Sequence, residues 1–470
     1  MKSLKIFIGI DIGTSISKGV AMDTMGNVRA SYSMRHSYDI YVQDYAQNWW
    51  NEVVCILHEI IKDEYAMQVY SITVSGMVPN IIMIDENGEL VSPTRLFYDD
   101  FAIKIEKELD KVDGTKWMNE YISKLIYLSR YEENWNKVSK VLTSHTYCVY
   151  MFTGKYVCDI GTAIECGNAF DLATGDWNRK LLSAYSINPS ILPQIVAPTD
   201  IIGTISDELA KQLGINTHVQ IIAGSHDSVA TLIGAGVLRK EEALIYYGTY
   251  NCSAILEDDI INLLQGKTII NPIHWITSIP RNGQLLDKIV EFLCGKDNFG
   301  EFSELAKNSI PGANGVLFIQ NPHLLSAGIS SEPNGRLMGL TTFIEKGDCC
   351  RAVFESFGYG LLATWKYDGV RVPKKCYATG GGSKSDIWVQ ITSNITEVEQ
   401  ILLENAENAV GTALLGIFSY SQKLFEDIQK NRISRGKHIV ADGVGMDKYL
   451  DRFEEYYHVL MSENRGDGKQ

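Results

Sequence analysis

Ala223-Gly-Ser-His-Asp-Ser-Val-Ala-Thr-Leu-Ile-Gly-Ala-Gly236, with Ile245-Tyr-Tyr-Gly-Thr-Tyr-Asn251 a few residues on, decides how the rest of the chain is read. Val219 to Ala223 predicts a strand, Gly224 a tight turn, and the residues after it a helix with Ser225 as N-cap. Val229, Leu232, Ile233 and Val237 recur on one helical face. Asp227 then falls in the first turn, where the helix dipole favours an ionised carboxylate. Taken alone, it is a first-turn acid. Its company changes that: Gly248-Thr249 ends the next strand-like run, and Gly13-Thr14-Ser15 stands near the N-terminus. An aspartate set between two hydroxyl-bearing glycine turns reads as a general base facing a phosphate cradle.

Outward toward the N-terminus, Lys5 to Asp23 predicts strand, turn, strand, and Gly26-Asn27 makes the next turn. A tip of Gly13, Thr14 and Ser15 offers several amides and hydroxyls to one phosphate. Asp11, at the strand end beside it, is placed to hold Mg²⁺ directly or through water. Any tight hairpin could carry the same pattern, and Lys18 is the weaker phosphate candidate. No P-loop occurs, because Gly154-Lys155 and Gly266-Lys267 lack the upstream glycine. Gly234-Ala-Gly236 lacks the third glycine of a dinucleotide fingerprint, where Arg239 stands. Gln43 to Lys62 predicts a helix burying Trp49, Trp50, Val53, Val54 and Leu57, and Tyr70 to Gly76 predicts a strand. Leu96 to Asp100 predicts a strand end whose Asp99 and Asp100 suit sugar hydroxyls or, equally, solvent. Ser225-His226-Asp227 spells a hydrolase triad, but side chains adjacent in sequence cannot converge on one reacting atom.

Toward the C-terminus, Glu242 to Leu256 repeats the opening pattern of strand, Gly-Thr tip, strand. The charged segment Arg239 to Glu242 before it marks a boundary between domains 1–240 and 241–470. Arg351 to Trp365 predicts an amphipathic helix. Lys375 to Thr379 predicts a strand running into Gly380-Gly-Gly-Ser-Lys-Ser385, where missing Cβ atoms let a phosphate or flat ring approach, or simply allow close packing. Glu407 to Gly416 is a small-residue helix suited to packing beside that loop, and Met461 to Gln470 a polar tail.

At 470 residues, two domains are expected. Hydrophobic content of 45% and charged content of 21% fit an ordinary globular protein. A net charge of -14 with no cationic cluster argues against a nucleic-acid surface. Nine cysteines, an odd number without a C-x-x-C pair, fit reduced thiols and a cytoplasmic location. The apolar run Leu4 to Ile12 is interrupted by Asp11 and reads as a buried strand, not a signal peptide. No apolar stretch is long enough to span a bilayer.

In this order the pieces resemble the FGGY family of carbohydrate kinases. Asp11-Ile-Gly-Thr-Ser is similar to its first phosphate motif, Gly248-Thr249 to its second, and Gly224-Ser-His-Asp227 to its catalytic-aspartate segment. Gly380 to Gln390 is similar to its adenosine motif, and Glu407 to Gly416 to the helix after it. The resemblance implies an α/β chain of two actin-like, ribonuclease-H-type (ASKHA) domains with an active-site cleft between them. It implies Mg-ATP as cofactor, mostly on the second domain, and a small carbohydrate as substrate, mostly on the first. Asp227 would be the base; Asp11 would hold Mg²⁺; Gly13, Thr14, Ser15, Gly248 and Thr249 would hold phosphate; and Gly381, Gly382 and Ser383 would line the adenosine site. Met77, Asn80, Asp99 and His226 would join Asp227 toward the sugar. No nucleic acid or membrane is expected as partner, and a homodimer is left open. A silent sugar- or nucleotide-sensing protein on the same fold is the alternative. The sugar loops depart from the common pattern. Met77-Val-Pro-Asn80 stands in place of Gln-Met-His-Gly, Phe97 to Phe101 lacks the usual Arg, and Leu325 to Pro333 replaces a Gly-Glu-Arg-x-x-Pro loop.

Overall fold

Seven buried residues from Ile6 to Ile12 form the strand on which the first unit is built. The computed structural model describes residues 4–36, 44–113, 120–248, 251–268, 270–279, 282–320, 335–367, 369, 371–373 and 375–464. Strands β1 (Ile6–Ile12), β2 (Ile16–Asp23), β3 (Val28–Arg35), β4 (Val69–Gly76), β5 (Ile201–Thr204) and β6 (Gln220–His226) form one six-stranded sheet, in the order β5-β6-β4-β1-β2-β3. Pairs β1–β2 and β2–β3 are antiparallel, β1–β4 and β4–β6 parallel, and β5–β6 antiparallel. Helix Tyr45–Ile60 covers one face, its N-terminus capped by Asp44, which accepts from the Ala46 amide at 2.8 Å. Trp49, Val53, Ile56, Leu57 and Ile60 are completely buried beneath it, each contributing about 1.5–3 kcal/mol.

In the second unit, β7 (Ala243–Tyr247), β8 (Asn251–Leu256), β9 (Ile273–Ile279), β10 (Lys375–Thr379), β11 (Glu399–Leu402) and β12 (Lys437–Ile439) form a second six-stranded sheet, ordered β9-β8-β7-β10-β11-β12. Its sequence of pairings is that of the first: an antiparallel three-strand meander, two parallel steps, then an antiparallel edge strand. The same topology twice is what a duplicated ribonuclease-H-like domain requires. Helix Lys346–Tyr367 supplies much of this core through Phe354, Phe357, Leu361 and Trp365, all completely buried.

The two units are discontinuous in sequence. Residues 258–272 and 405–431 pack with residues 1–234, and the remainder forms the second unit. Helix Asn408–Tyr420 therefore belongs to the first unit and lies on its sheet, whereas the 380–385 loop it follows in sequence belongs to the second. Glycines explain the docking. A Cβ on Gly9 of β1 would come within 2.2 Å of the Ala413 amide nitrogen, and one on Gly411 within 1.9 Å of the Ala230 carbonyl oxygen. Backbone meets backbone, so nothing can yield cheaply. Gly9→Ala is expected to cost about 1–3 kcal/mol or more through overpacking, read as a lower urea midpoint with an unchanged slope.

Two further expectations are corrected. Ser225 is not an N-cap: β6 runs through His226, the helix is Asp227–Ala235, and the left-handed residue Gly224 (φ 74°) sits at a register shift within the strand. The strand continues because Ser225 pairs with Ser75 and His226 with Gly76. Leu96 to Asp100 is turn, not strand; Asp99 Oδ2 accepts from the Leu96 amide at 2.8 Å, closing the turn on itself. Two expectations fall outside the described residues: Thr249 of the second tip and the Leu325 to Pro333 segment.

Candidate active site

The parallel pairing of β1 with β4 sets Asp11 opposite Ser75, and the Ser75 hydroxyl donates to Asp11 Oδ1 at 2.6 Å. Helix Asn408–Tyr420 completes the carboxylate's surroundings. Asn408 Nδ2 donates to Asp11 Oδ2 at 3.2 Å, and one turn later the Thr412 hydroxyl meets that of Ser75 at 2.6 Å. Asn408 also accepts, through Oδ1, from Thr231 at 2.8 Å, and Thr231 lies one turn beyond Asp227 on the helix that Asp227 begins. A short polar relay thus ties the strand-end acid to the helix that carries the second acid. Sequence reasoning singled out neither Ser75, Asn408, Thr412 nor Thr231.

Asp227 is partly accessible as a residue, yet its carboxyl is densely enclosed. Burial, reinforced by the nearby Asp11 charge, raises its pKa to about 7, against opposing hydrogen bonds from Ser228. Burial raises Asp11 too, with Ser75 and Asn408 working the other way. His226 is buried and its pKa is lowered by that burial, so it is neutral. Beneath β6, Ser225 donates to Asp159 Oδ1 at 2.6 Å, and Asp159 Oδ2 lies 3.0 Å from His145 Nε2. His145 and Asp159 are wholly enclosed, and the histidine's hydrogen bond and charge hold Asp159 below the usual carboxylate range despite its burial. This pair fixes the strand end from which Asp227 projects.

Thr14 and Ser15 are exposed at the tip between β1 and β2, and Gly13 closes the turn by donating to the Ile16 carbonyl at 3.1 Å. Lys18 is ion-paired with Glu407. Of the sugar-side candidates, Met77 is buried in the core, and its carbonyl accepts from Asn80 Nδ2 and Ser144 Oγ, both at 2.8 Å. Asn80 is completely buried, and its Oδ1 accepts from the Phe97 amide at 3.0 Å. Both residues build the loop instead of presenting side chains to solvent. Lys124, also missed, is buried and donates to the Phe97 carbonyl, pinning the next loop.

The second unit carries a cavity of about 680 Å³ lined by Gly248, Leu286, Val290, Phe299, Gly381, Gly382 and Trp388 among others. The three glycines at 380–382 divide their work. A Cβ on Gly380 would strike the Tyr247 carbonyl at 2.5 Å and one on Gly382 the Trp388 ring at 2.4 Å, whereas one on Gly381 would meet nothing within 4 Å. Gly381 is the one open to a ligand. Ser383 does not line the cavity; its buried hydroxyl donates to the Gly380 carbonyl at 2.7 Å. The same cavity is also lined by Asp287, Lys288, Glu291, Lys296 and Asp297, so glycine backbone and apolar side chains share it with charged groups.

Among the described residues, no cluster of three or more His, Cys, Asp or Glu forms an all-protein metal cage. Asp11 and Asp227, near enough that the Asp11 charge helps raise the Asp227 pKa, do fit a dication that arrives with phosphate oxygens of its own, the usual habit of Mg²⁺. No helix among the described residues is long and apolar enough to cross a membrane.

A family model for the N-terminal domain of the FGGY family of carbohydrate kinases matches residues 6–234. A xylulose kinase of Lactococcus lactis subsp. lactis is 24% identical across 96% of this chain and 95% of its own. A gluconokinase of Bacillus subtilis is 26% identical across 88% of this chain and 87% of its own. Among solved structures, a xylulose kinase from Rhodospirillum rubrum has the same fold, with a TM-score of 0.83 at 21% identity over 98% of this chain and 99% of that one. With the model spanning every strand of the first sheet, residues 6–234 belong to the FGGY family of carbohydrate kinases as its N-terminal domain, and the chain is similar to xylulose kinases and gluconokinases along most of its length.

Proposed function

We propose that this chain transfers the terminal phosphoryl group of ATP to a hydroxyl of a small sugar or polyol, with Asp227 as general base. The observation that carries this is the acid pair: Asp227, its pKa lifted to about 7 by burial and by Asp11, is matched to taking a proton near neutral pH. Asp227 receives the proton of the acceptor hydroxyl as its oxygen bonds to phosphorus and the bond to ADP breaks. Little covalent chemistry is left to the protein, so positioning and charge dominate. Gly13, Thr14 and Ser15, with Gly248 and Thr249, hold the transferring phosphate; Gly381 and Gly382 accommodate adenosine, and Ser383 braces their loop. Mg²⁺, held by Asp11 together with the nucleotide's phosphates, would supply charge neutralisation. Met77, Asn80, Asp99 and His226 shape the sugar side of Asp227. The sugar is taken to lie on the first FGGY-type domain, 1–240 by the sequence boundary with residues 258–272 and 405–431 packed onto it, and ATP on the second, the rest of 241–470. Nine free cysteines, five of them buried, support a reducing, cytoplasmic location.

A coupled ADP-release screen of ketoses, aldoses, polyols and sugar acids with Mg-ATP tests the proposal. Carbohydrate-stimulated turnover is expected; its absence across the whole panel would leave a silent binder on a kinase fold. Specificity is expected to be narrow, because Pro79 and Phe101 stand where many relatives place a His and an Arg. A donor lost from a closed site costs about 1–3 kcal/mol. D-xylulose and glycerol should therefore differ in kcat/KM by about tenfold or more. Equal, high values for both would show that the sugar loops have been misaligned.

A further inference from the structure

Beneath the hairpin tip lies an acid–imidazole pair that the phosphate motif does not account for. β3 delivers His36 there, and its amide donates to the Ser15 carbonyl at 3.0 Å. The ring meets an oxygen on each side: Nε2 lies 2.9 Å from the Gly13 carbonyl, and Nδ1 lies 2.9 Å from Oε1 of Glu52 on helix Tyr45–Ile60. Ser17 donates to the other carboxylate oxygen, Glu52 Oε2, at 2.6 Å. A carbonyl oxygen can only accept, so Nε2 carries a proton; an ionised carboxylate can only accept, so Nδ1 carries another. The two side chains are only 8% and 7% exposed, so water is a poor substitute for either contact. A neutral ring would set a lone pair against one of these oxygens.

Pinning the Gly13 oxygen has a consequence one atom further on. The Gly13 carbonyl and the Thr14 N–H belong to one planar trans peptide and point in opposite directions. Drawing the oxygen inward to His36 turns the Thr14 amide outward, where among the described residues it donates to no backbone carbonyl. Resting on the phosphate role of Gly13, Thr14 and Ser15, we propose that His36 is a positioning residue, an imidazolium clamped by Glu52 that presets the Thr14 amide for the terminal phosphate of ATP. Burial disfavours the charged ring, but hydrogen bonds to Glu52 and Gly13 and the Glu52 charge outweigh it and raise the His36 pKa. Among the described residues, the other titratable group facing the pair is Cys148, on helix Ser144–Thr153, whose thiol burial keeps protonated and uncharged.

Calorimetric titration with Mg-ADP and with a non-hydrolysable Mg-ATP analogue, across neutral to alkaline pH, reads the clamp without any sugar. The native protein should favour the analogue, and that preference should decline by about tenfold in all as pH rises through the raised histidine pKa, and then level off. His36→Gln can still donate to Gly13 but cannot titrate. It should bind the analogue about tenfold more weakly, bind ADP as before, and show no alkaline decline. Glu52→Gln should move the decline to lower pH, and that shift is diagnostic by itself if His36→Gln does not fold. Native analogue affinity in His36→Gln, or an alkaline decline that survives in it, overturns the clamp. A native protein that never distinguishes the analogue from ADP would sink the phosphate role of the tip, and the clamp with it.

Discussion

Asp227→Asn is expected to lower kcat by about 10²–10⁴-fold while leaving sugar affinity nearly unchanged. The amide keeps the carboxylate's shape and can accept a hydrogen bond from the acceptor hydroxyl, but it cannot take its proton. Because the free enzyme's Asp227 titrates at about 7, native kcat/KM should fall tenfold per unit as pH drops below that value, and the variant's residual activity should lack this limb. Stability should move the opposite way. The folded pKa lies above the unfolded value, so between about 3.8 and about 7 the native state holds the extra proton and stability declines as pH rises through that window. Above it the ionised carboxylate carries its full penalty, which asparagine lacks. The variant should therefore melt higher than the native protein at alkaline pH, without ligand. Near-native kcat in Asp227→Asn would make the residue a simple first-turn acid and place the base elsewhere.

Asp11→Asn should fail differently. Its two oxygens already accept from Ser75 and Asn408, so an amide must turn its NH₂ toward one of those donors, and a neutral oxygen is a poorer ligand for a hard dication. The half-saturating Mg²⁺ concentration should rise on the order of 10–100-fold, with turnover partly restored by excess metal. Asp227→Asn should show no such rescue. A Mg²⁺ titration of turnover in both variants separates the two roles. An unchanged metal requirement in Asp11→Asn would remove Asp11 from the metal site.

What the sequence disclosed depends on the range over which its signals act. Alternation and glycine turns are local, so β1, β2, β7, β8 and the crossover at Lys375–Thr379 could be read directly, as could the glycine loop whose middle member opens into the cavity. Asp227 was found the same way, from its place after a strand. The partners of Asp11 were not, because Ser75 reaches it only through strand pairing and Asn408 through a helix returning from nearly 400 positions away. No periodicity marks a side chain recruited at that distance. Ser225 misled for a related reason: a serine before a helix suits a cap, and only the ladder with β4 shows the strand continuing through it. Met77 and Asn80 stand where a sugar loop was expected, yet tertiary packing turned their side chains inward.

The return of helix Asn408–Tyr420 to β1 bears on how the protein must be made. A ribosome releases residues 6–234, every strand of the first sheet, long before it synthesises the helix that covers Gly9 and holds Asp11. Until then that face of the sheet is an uncovered apolar surface, and the nascent chain waits in a state prone to association. A gene truncated near residue 234 should yield insoluble product, and supplying the 405–431 segment as a separate peptide during refolding should recover soluble material. The smallest autonomous folding unit is thus a set of distant segments, not a continuous stretch of chain.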